Sequence, residues 1–204
     1  MESQKVCVFC ASSGKCDAAY LDAARRLGRH LASQQATLVY GGGGSGGMGS
    51  LADGALEAGG AVIGIIPRFM VDLEWGHQRL SELRIVEDMR ERKRQMIEGV
   101  KGVVALPGGC GTLEELFETI TLKRLGQFLE PIILVNTRGF YDRVVEALNH
   151  CIEERFMDTR HREIWTVVNE PEEVLSAIET APRWSAENRD FAVLKPTASD
   201  GNSR

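Results

Sequence analysis

Short apolar runs alternate with longer stretches of helical periodicity along this chain, and that alternation narrows the folds open to it. The runs fall at residues 5–11, 36–40, 61–66, 83–86, 102–106, 131–136 and 164–168. Each is short and continuously apolar, which is how a strand reads when helices cover both faces of a parallel sheet. Residues 17–34 place Ala19, Ala23, Leu27 and Leu31 four apart behind Asp17, a plausible N-cap. Further helices are predicted at 48–58, ended by Gly59-Gly60, at 88–98, from Leu113 to near Gly126, at 141–154 and at 171–180. Residues 69–81 show no period and are expected to be irregular. Repeated β-α units with right-handed crossovers give a doubly wound, Rossmann-like α/β sandwich that binds ligands at the carboxyl ends of its strands. One nucleotide-binding domain is expected over 1–182, then a C-terminal extension over 183–204 whose end, KPTASDGNSR, reads as disordered.

With a formal net charge of −5, the chain has no broad nucleic-acid footprint. No apolar run approaches the roughly 20 residues that span a bilayer. Met1-Glu2-Ser3-Gln4-Lys5 lacks the basic start of a signal peptide, so the expected location is the cytoplasm. Cys7 and Cys10 read as buried free thiols, since no second Cys/His pair follows at zinc-finger spacing. His30, His77, His150 and His161 also lack metal spacing, and His77, which could touch a base, reads rather as a surface histidine. No metal and no cofactor are expected.

Chemistry concentrates at Pro107-Gly108-Gly109-Cys110-Gly111-Thr112-Leu113-Glu114-Glu115. The stretch reads as strand, glycine turn and helix N-terminus, where unpaired N–H groups and the helix dipole seat a phosphate. Two carboxylates one turn later are unusual beside an anion seat, and they suggest that the bound phosphate carries something on which a carboxylate acts. Cys110 reads as a residue the loop tolerates, because no histidine nearby in sequence would activate it. Gly41–Gly49 contains Gly-x-Gly-x-x-Gly, but it follows the second strand, and the next strand ends without an acid for a ribose hydroxyl. In the charged helix at 88–98, Arg92 shares a face with Met89 and Met96, so it is a candidate to point inward.

These residues resemble the LONELY GUY (LOG) family, cytokinin riboside 5'-monophosphate phosphoribohydrolases long mislabelled as lysine decarboxylases. The family's Pro-Gly-Gly-x-Gly-Thr-x-x-Glu motif is matched by Pro107 to Glu115, and its Arg-Lys pair ending in Met by Arg92-Lys93 and Met96. Val8-Phe9-Cys10-Ala11-Ser12-Ser13 and Leu38–Gly43 are similar to the family's first strand end and Leu-Val-Tyr-Gly-Gly-Gly stretch. The likeness runs from about Val6 to Thr180. Departures include Cys110, where plant members usually carry Tyr, and Trp75-Gly76-His77 in a region that touches the base in the family.

The resemblance implies hydrolysis of the N-glycosidic bond of an adenine or N6-modified adenine nucleoside 5'-monophosphate, giving free base and ribose 5-phosphate. It assigns Glu115 and Arg92 to catalysis. It assigns Gly108, Gly109, Gly111 and Thr112 to the 5'-phosphate, and Glu114, Lys93, Thr121, Glu74, Gly43 and Ser12 to substrate binding. Arg92 is expected to keep Glu115 ionised. Lysine decarboxylation would require pyridoxal phosphate and a Schiff-base lysine, and neither Lys93 nor Lys101 is marked for it. The rival reading is a non-catalytic nucleotide-binding or carrier protein on the same fold. The family's dimers place the site near the subunit interface, so a homodimer is expected, with the 113–125 helix as a contact face.

Overall fold

In the computed structural model, which describes residues 4–73 and 75–193, all seven strands run parallel in one sheet. They are β1 (Lys5–Phe9), β2 (Thr37–Tyr40), β3 (Val62–Pro67), β4 (Glu82–Val86), β5 (Val103–Ala105), β6 (Ile132–Val135) and β7 (Trp165–Val168). Their order, β4-β3-β2-β1-β5-β6-β7, reverses direction between β1 and β5. That reversal is the switch point of a doubly wound sheet, where adjacent loops part and leave a crevice.

Side-chain alternation along β1 divides the core. Cys7 and Phe9 face a cluster with Met96, Leu116, Ile120, Leu148 and Ile152. Val6, Val8 and Cys10 face Ala24, Leu27, Leu31, Leu51 and Ala55. Helices α1 (Ala18–Ser33) and α2 (Gly46–Glu57) therefore cover one face, and α4 (Met89–Ile97), α5 (Cys110–Arg124) and α6 (Asp142–Glu153) the other. α7 (Val174–Thr180) joins the α1–α2 side through Val174, Ala177 and Ile178.

Caps fix where the helices begin. Asp17 accepts a bond from the Ala19 N–H at 2.9 Å and starts α1. Asp88 accepts from the N–H groups of Arg90 and Glu91, both at 2.8 Å, and starts α4. Each satisfies N–H groups that have no partner inside the helix, a contribution of about 1 kcal/mol.

One sequence expectation changes. The 69–81 stretch is not wholly irregular, because Pro67 ends β3 and α3 (Arg68–Asp72) makes one helical turn. Five residues are too few for periodicity to reveal a helix. Beyond residue 182 the chain also stays engaged with the core. Trp184 is 7% exposed and its indole N–H donates to the Lys123 carbonyl at 2.8 Å. Phe191 packs edge-on to Trp184 and beside His161. The terminal KPTASDGNSR stretch lies outside the described residues. No helix among the described residues is long and apolar enough to cross a membrane.

Candidate active site

β1 and β5 pair in the register Val8↔Val104 and Phe9↔Ala105, while Val8 also pairs with Tyr40 of β2. Three loops therefore leave the same sheet edge side by side: 10–13, 41–45 and 106–112. They enclose a cavity of about 570 Å³ that Ile66, Met70, Trp75, Met89, Arg92, Glu114 and Glu115 help to line. That volume suits a small-molecule ligand. Another depression, about 610 Å³, lies beside α6 and carries Asp142, Glu146 and Glu153, a charge set that repels a phosphate.

Arg92 and Glu115 meet inside the first cavity. The arginine comes from the first turn of α4 and the carboxylate from the second turn of α5. Both side chains are nearly excluded from water, at 4% and 7% exposed, and Arg92 Nη1 donates to Glu115 Oε1 at 2.8 Å. Arg92 Nε donates to the Ile65 carbonyl at 3.1 Å, and Nη2 to the Gly41 carbonyl at 3.3 Å. Both carbonyls belong to the ends of neighbouring strands, so the sheet edge holds the guanidinium in one orientation. Gly41 is required for this approach: a Cβ there would stand 1.9 Å from Arg92 Nη2. Each buried polar group is thus paired, as low dielectric demands.

Burial pushes the Glu115 carboxyl above its ordinary range, and Arg92 opposes that rise without cancelling it. Arg92 thus favours the ionised form of Glu115, as expected, while desolvation is the larger of the two effects. A buried carboxyl with its proton affinity raised is a better base than an exposed one. Cys7 and Cys10, buried behind it, are also pushed up by burial and then by the Glu115 charge. They are inert as nucleophiles.

The glycine loop supplies the other half. Gly109 caps α5, and a Cβ at Gly109 or Gly111 would meet nothing within 4 Å. Packing within the chain does not require glycine at either position, so the open space above the helix N-terminus is free for a ligand. Gly108 differs, because a Cβ there would strike the Thr112 side chain at 2.2 Å. Thr112 is itself buried and borders the cavity. Cys110 is exposed and lines the cavity rim.

Of the other residues singled out in the sequence, Ser12, Gly43 and Glu114 border the cavity. Lys93 does not. It pairs with Glu114 at 2.5 Å and Glu118 at 2.7 Å, beside a separate crevice of about 210 Å³. Thr121 is exposed on the outer face of α5, where its hydroxyl donates to the Phe117 carbonyl. Glu74 lies outside the described residues. The sequence reading missed Met48, Ile66 and Met89, which with Met70 and Trp75 form an apolar end to the cavity. Met89 sits one turn before Arg92, a spacing that carried the signal. The reading of His77 as a surface histidine is overturned: its side chain is 7% exposed and lies against Asp53.

Residues 48–178 match the family described as possible lysine decarboxylase. Among the described residues no lysine lines the cavity, so a Schiff-base partner for pyridoxal phosphate is not found there. Cytokinin riboside 5'-monophosphate phosphoribohydrolase LOG3 of Arabidopsis thaliana is 39% identical over 176 residues, covering 86% of this chain and 82% of that protein. Probable cytokinin riboside 5'-monophosphate phosphoribohydrolase LOGL6 of Oryza sativa subsp. japonica is 37% identical over 181 residues, covering 88% and 72%. Among solved structures, the molybdenum cofactor binding protein from the phototrophic bacterium Rippkaea orientalis matches with a TM-score of 0.68 at 20% identity, over 88% of this chain and 98% of that one. That last likeness is one of fold.

Proposed function

The chain belongs to the LONELY GUY (LOG) family of cytokinin riboside 5'-monophosphate phosphoribohydrolases, and from that membership we propose that it hydrolyses the N-glycosidic bond of an adenine-type nucleoside 5'-monophosphate to free base and ribose 5-phosphate. The buried Arg92–Glu115 pair at the cavity carries this reading. A protein that only binds a nucleotide gains nothing from a desolvated carboxylate beside an anionic ligand. A glycosidase does, because bond cleavage develops positive charge at C1'.

The geometry supports the following roles. The open N–H groups at Gly109–Gly111 and the α5 dipole seat the 5'-phosphate. Glu115 stabilises the oxocarbenium-like state and accepts the proton of the attacking water. Arg92 orients Glu115 and tempers its rise in pKa. Glu114, Ser12 and Gly43 hold the ribose and its surroundings, and the apolar end receives the base. Lys93 acts through Glu114. The exposed Phe117 and Leu125 on the outer face of α5 are proposed as a homodimer contact. Thr121 shares that face, outside its own chain's cavity, so its assignment to substrate rests on the dimer. The proposed location is the cytoplasm.

The test is release of free base from AMP and from isopentenyladenosine monophosphate by wild type, Glu115→Gln and Arg92→Ala. The expected result is turnover by wild type, reduced at least about 100-fold in Glu115→Gln with the fold retained. No release from either nucleotide by a folded wild-type protein that still binds AMP would overturn the hydrolase reading.

A further inference from the structure

The apolar end of the cavity is closed by a segment that belongs to neither the sheet nor a long helix. Residues 75–80 run between α3 and β4, and they are fastened to the glycine loop like a minimal strand. The Gly44 N–H donates to the Trp75 carbonyl and the His77 N–H to the Gly42 carbonyl, both at 2.9 Å, with Gly43 and Gly76 bridged antiparallel. Gly43 and Trp75 both line the cavity, so this fastening sets where the indole stands. A one-bridge ladder is weak by itself. Two neighbouring backbone bonds supply a few kcal/mol at most, at about 1 kcal/mol each.

A side-chain anchor reinforces it. The ring of His77 is almost fully buried, and its Nδ1 accepts the Arg79 N–H at 3.1 Å. With Nδ1 occupied as an acceptor, the ring proton sits on Nε2, which lies 3.3 Å from Asp53 Oδ1 and donates to it. Asp53 also accepts from Arg79 Nη2 at 2.5 Å and lies 3.8 Å from Arg25 Nη2. Asp53 rides on α2, the helix that also carries Met48 into the cavity wall. One rigid element therefore bears both a wall residue and the post to which the Trp75 segment is tied. Without His77, Trp75 would keep its backbone bonds, but the segment would be tied to α2 only through the exposed side chain of Arg79. Trp75 is 55% exposed, so its own packing does not hold it.

We propose that His77, held by Asp53, is a positioning residue for the nucleotide base. It fixes the Trp75 wall against which a flat base with an apolar substituent packs, and so sets how tightly the chain grips its substrate without taking part in bond cleavage. The assignment rests on the hydrolase reading for its kinetic form and on nucleotide binding alone for its content. Neither Asp53 nor His77 touches Arg92 or Glu115, so an effect on binding should separate from an effect on chemistry.

The experiment measures KM and kcat for AMP and isopentenyladenosine monophosphate in wild type, His77→Ala, His77→Gln, Asp53→Ala and the double alanine variant, each with its thermal midpoint. His77→Ala is expected to raise KM about tenfold and leave kcat within about twofold, the pattern of lost uniform binding. Asp53→Ala, which also frees Arg79, should raise KM at least as far, and the double variant should be no worse than Asp53→Ala, because His77 acts through Asp53. His77→Gln, whose amide nitrogen reaches the place of Nε2, should return KM to within about threefold of wild type. An unchanged KM in His77→Ala overturns the proposal, as does an additive double variant or a fall in kcat that tracks the thermal midpoint without rescue by Gln. If wild type releases no base, the hydrolase reading fails separately. AMP dissociation constants of the same variants then decide: about tenfold weaker binding, rescued by Gln, supports the anchor, and equal binding overturns it.

Discussion

Replacing Arg92 with methionine probes the buried pair without removing the carboxylate. Methionine keeps an unbranched apolar stem, so the loss falls on the guanidinium. That group is 4% exposed and makes bonds to Glu115, Ile65 and Gly41. Its removal leaves a carboxylate whose side chain is 7% exposed without a cation. Breaking a buried pair from one side costs about 3–5 kcal/mol. For a chain of 204 residues this lowers Tm by on the order of 10 °C. The sign with pH is fixed by the direction of the shift. Glu115 stands above the ordinary 4.5 in the folded wild type, so the native state holds the proton more tightly than the unfolded chain. Its contribution to stability is therefore greatest below 4.5 and declines as pH rises through the window up to the raised value. Without Arg92 the folded value rises further and the window widens. The deficit of Arg92→Met should be small near pH 4.5 and largest near pH 8. Adding Glu115→Gln removes the stranded charge and should recover most of the loss. Urea denaturation of the four proteins at both pH values completes a double-mutant cycle. A loss below about 1 kcal/mol near pH 8 would refute the argument, because it falls well short of a broken buried pair. A deficit that does not shrink in acid would refute it too, as would a double variant no better than the single one.

Other outcomes follow from individual contacts. Gly111→Ala places a methyl group where no protein atom lies within 4 Å, so stability should hold or rise by up to about 1 kcal/mol while KM for the nucleotide increases. Kinetics beside a thermal melt check both halves. Gly41→Ala drives a Cβ into Arg92, with 1.9 Å to Nη2, and should lower kcat at least about tenfold while costing about 1–3 kcal/mol in urea. Lys123 is 1% exposed, and burial brings it down to about 8 from 10.5. The folded chain then binds fewer protons than the unfolded chain across that window, so stability rises as pH climbs through it. Urea midpoints near pH 7.5 and pH 10 should differ in wild type and converge in Lys123→Met.

The strands were legible because burial on both faces leaves continuous apolar runs, and the glycine loop because strand, turn and helix follow without interruption. Arg92 and Glu115 were legible one at a time, through a face shared with Met89 and Met96 and through a motif. What local spacing does not encode is the third dimension. His77 meets Asp53 only because α2 lies beside the 75–80 segment, so the pairing leaves no periodic trace. Trp184 belongs to the core through a bond to α5 across 61 residues, although its own neighbourhood in sequence is polar and aperiodic. The desolvation of Glu115 was not legible for a related reason. The charge of Arg92 is visible in the sequence, whereas the depth at which the pair sits is not.

Every neighbouring pair in the sheet joins strands consecutive along the chain, except β1 and β5. Kinetically, this divides the molecule into two halves whose contacts are mostly short in sequence, β1 to β4 and β5 to β7. Such halves can organise early, whereas the single junction between them requires the longest loop closure in the sheet and forms late. The cavity straddles that junction: Arg92 arrives from one half and Glu115 from the other. A chain with both halves formed but the junction open has no site at all. A nucleotide that spans the junction then acts chiefly on the reverse step, slowing the parting of the halves more than it hastens their meeting.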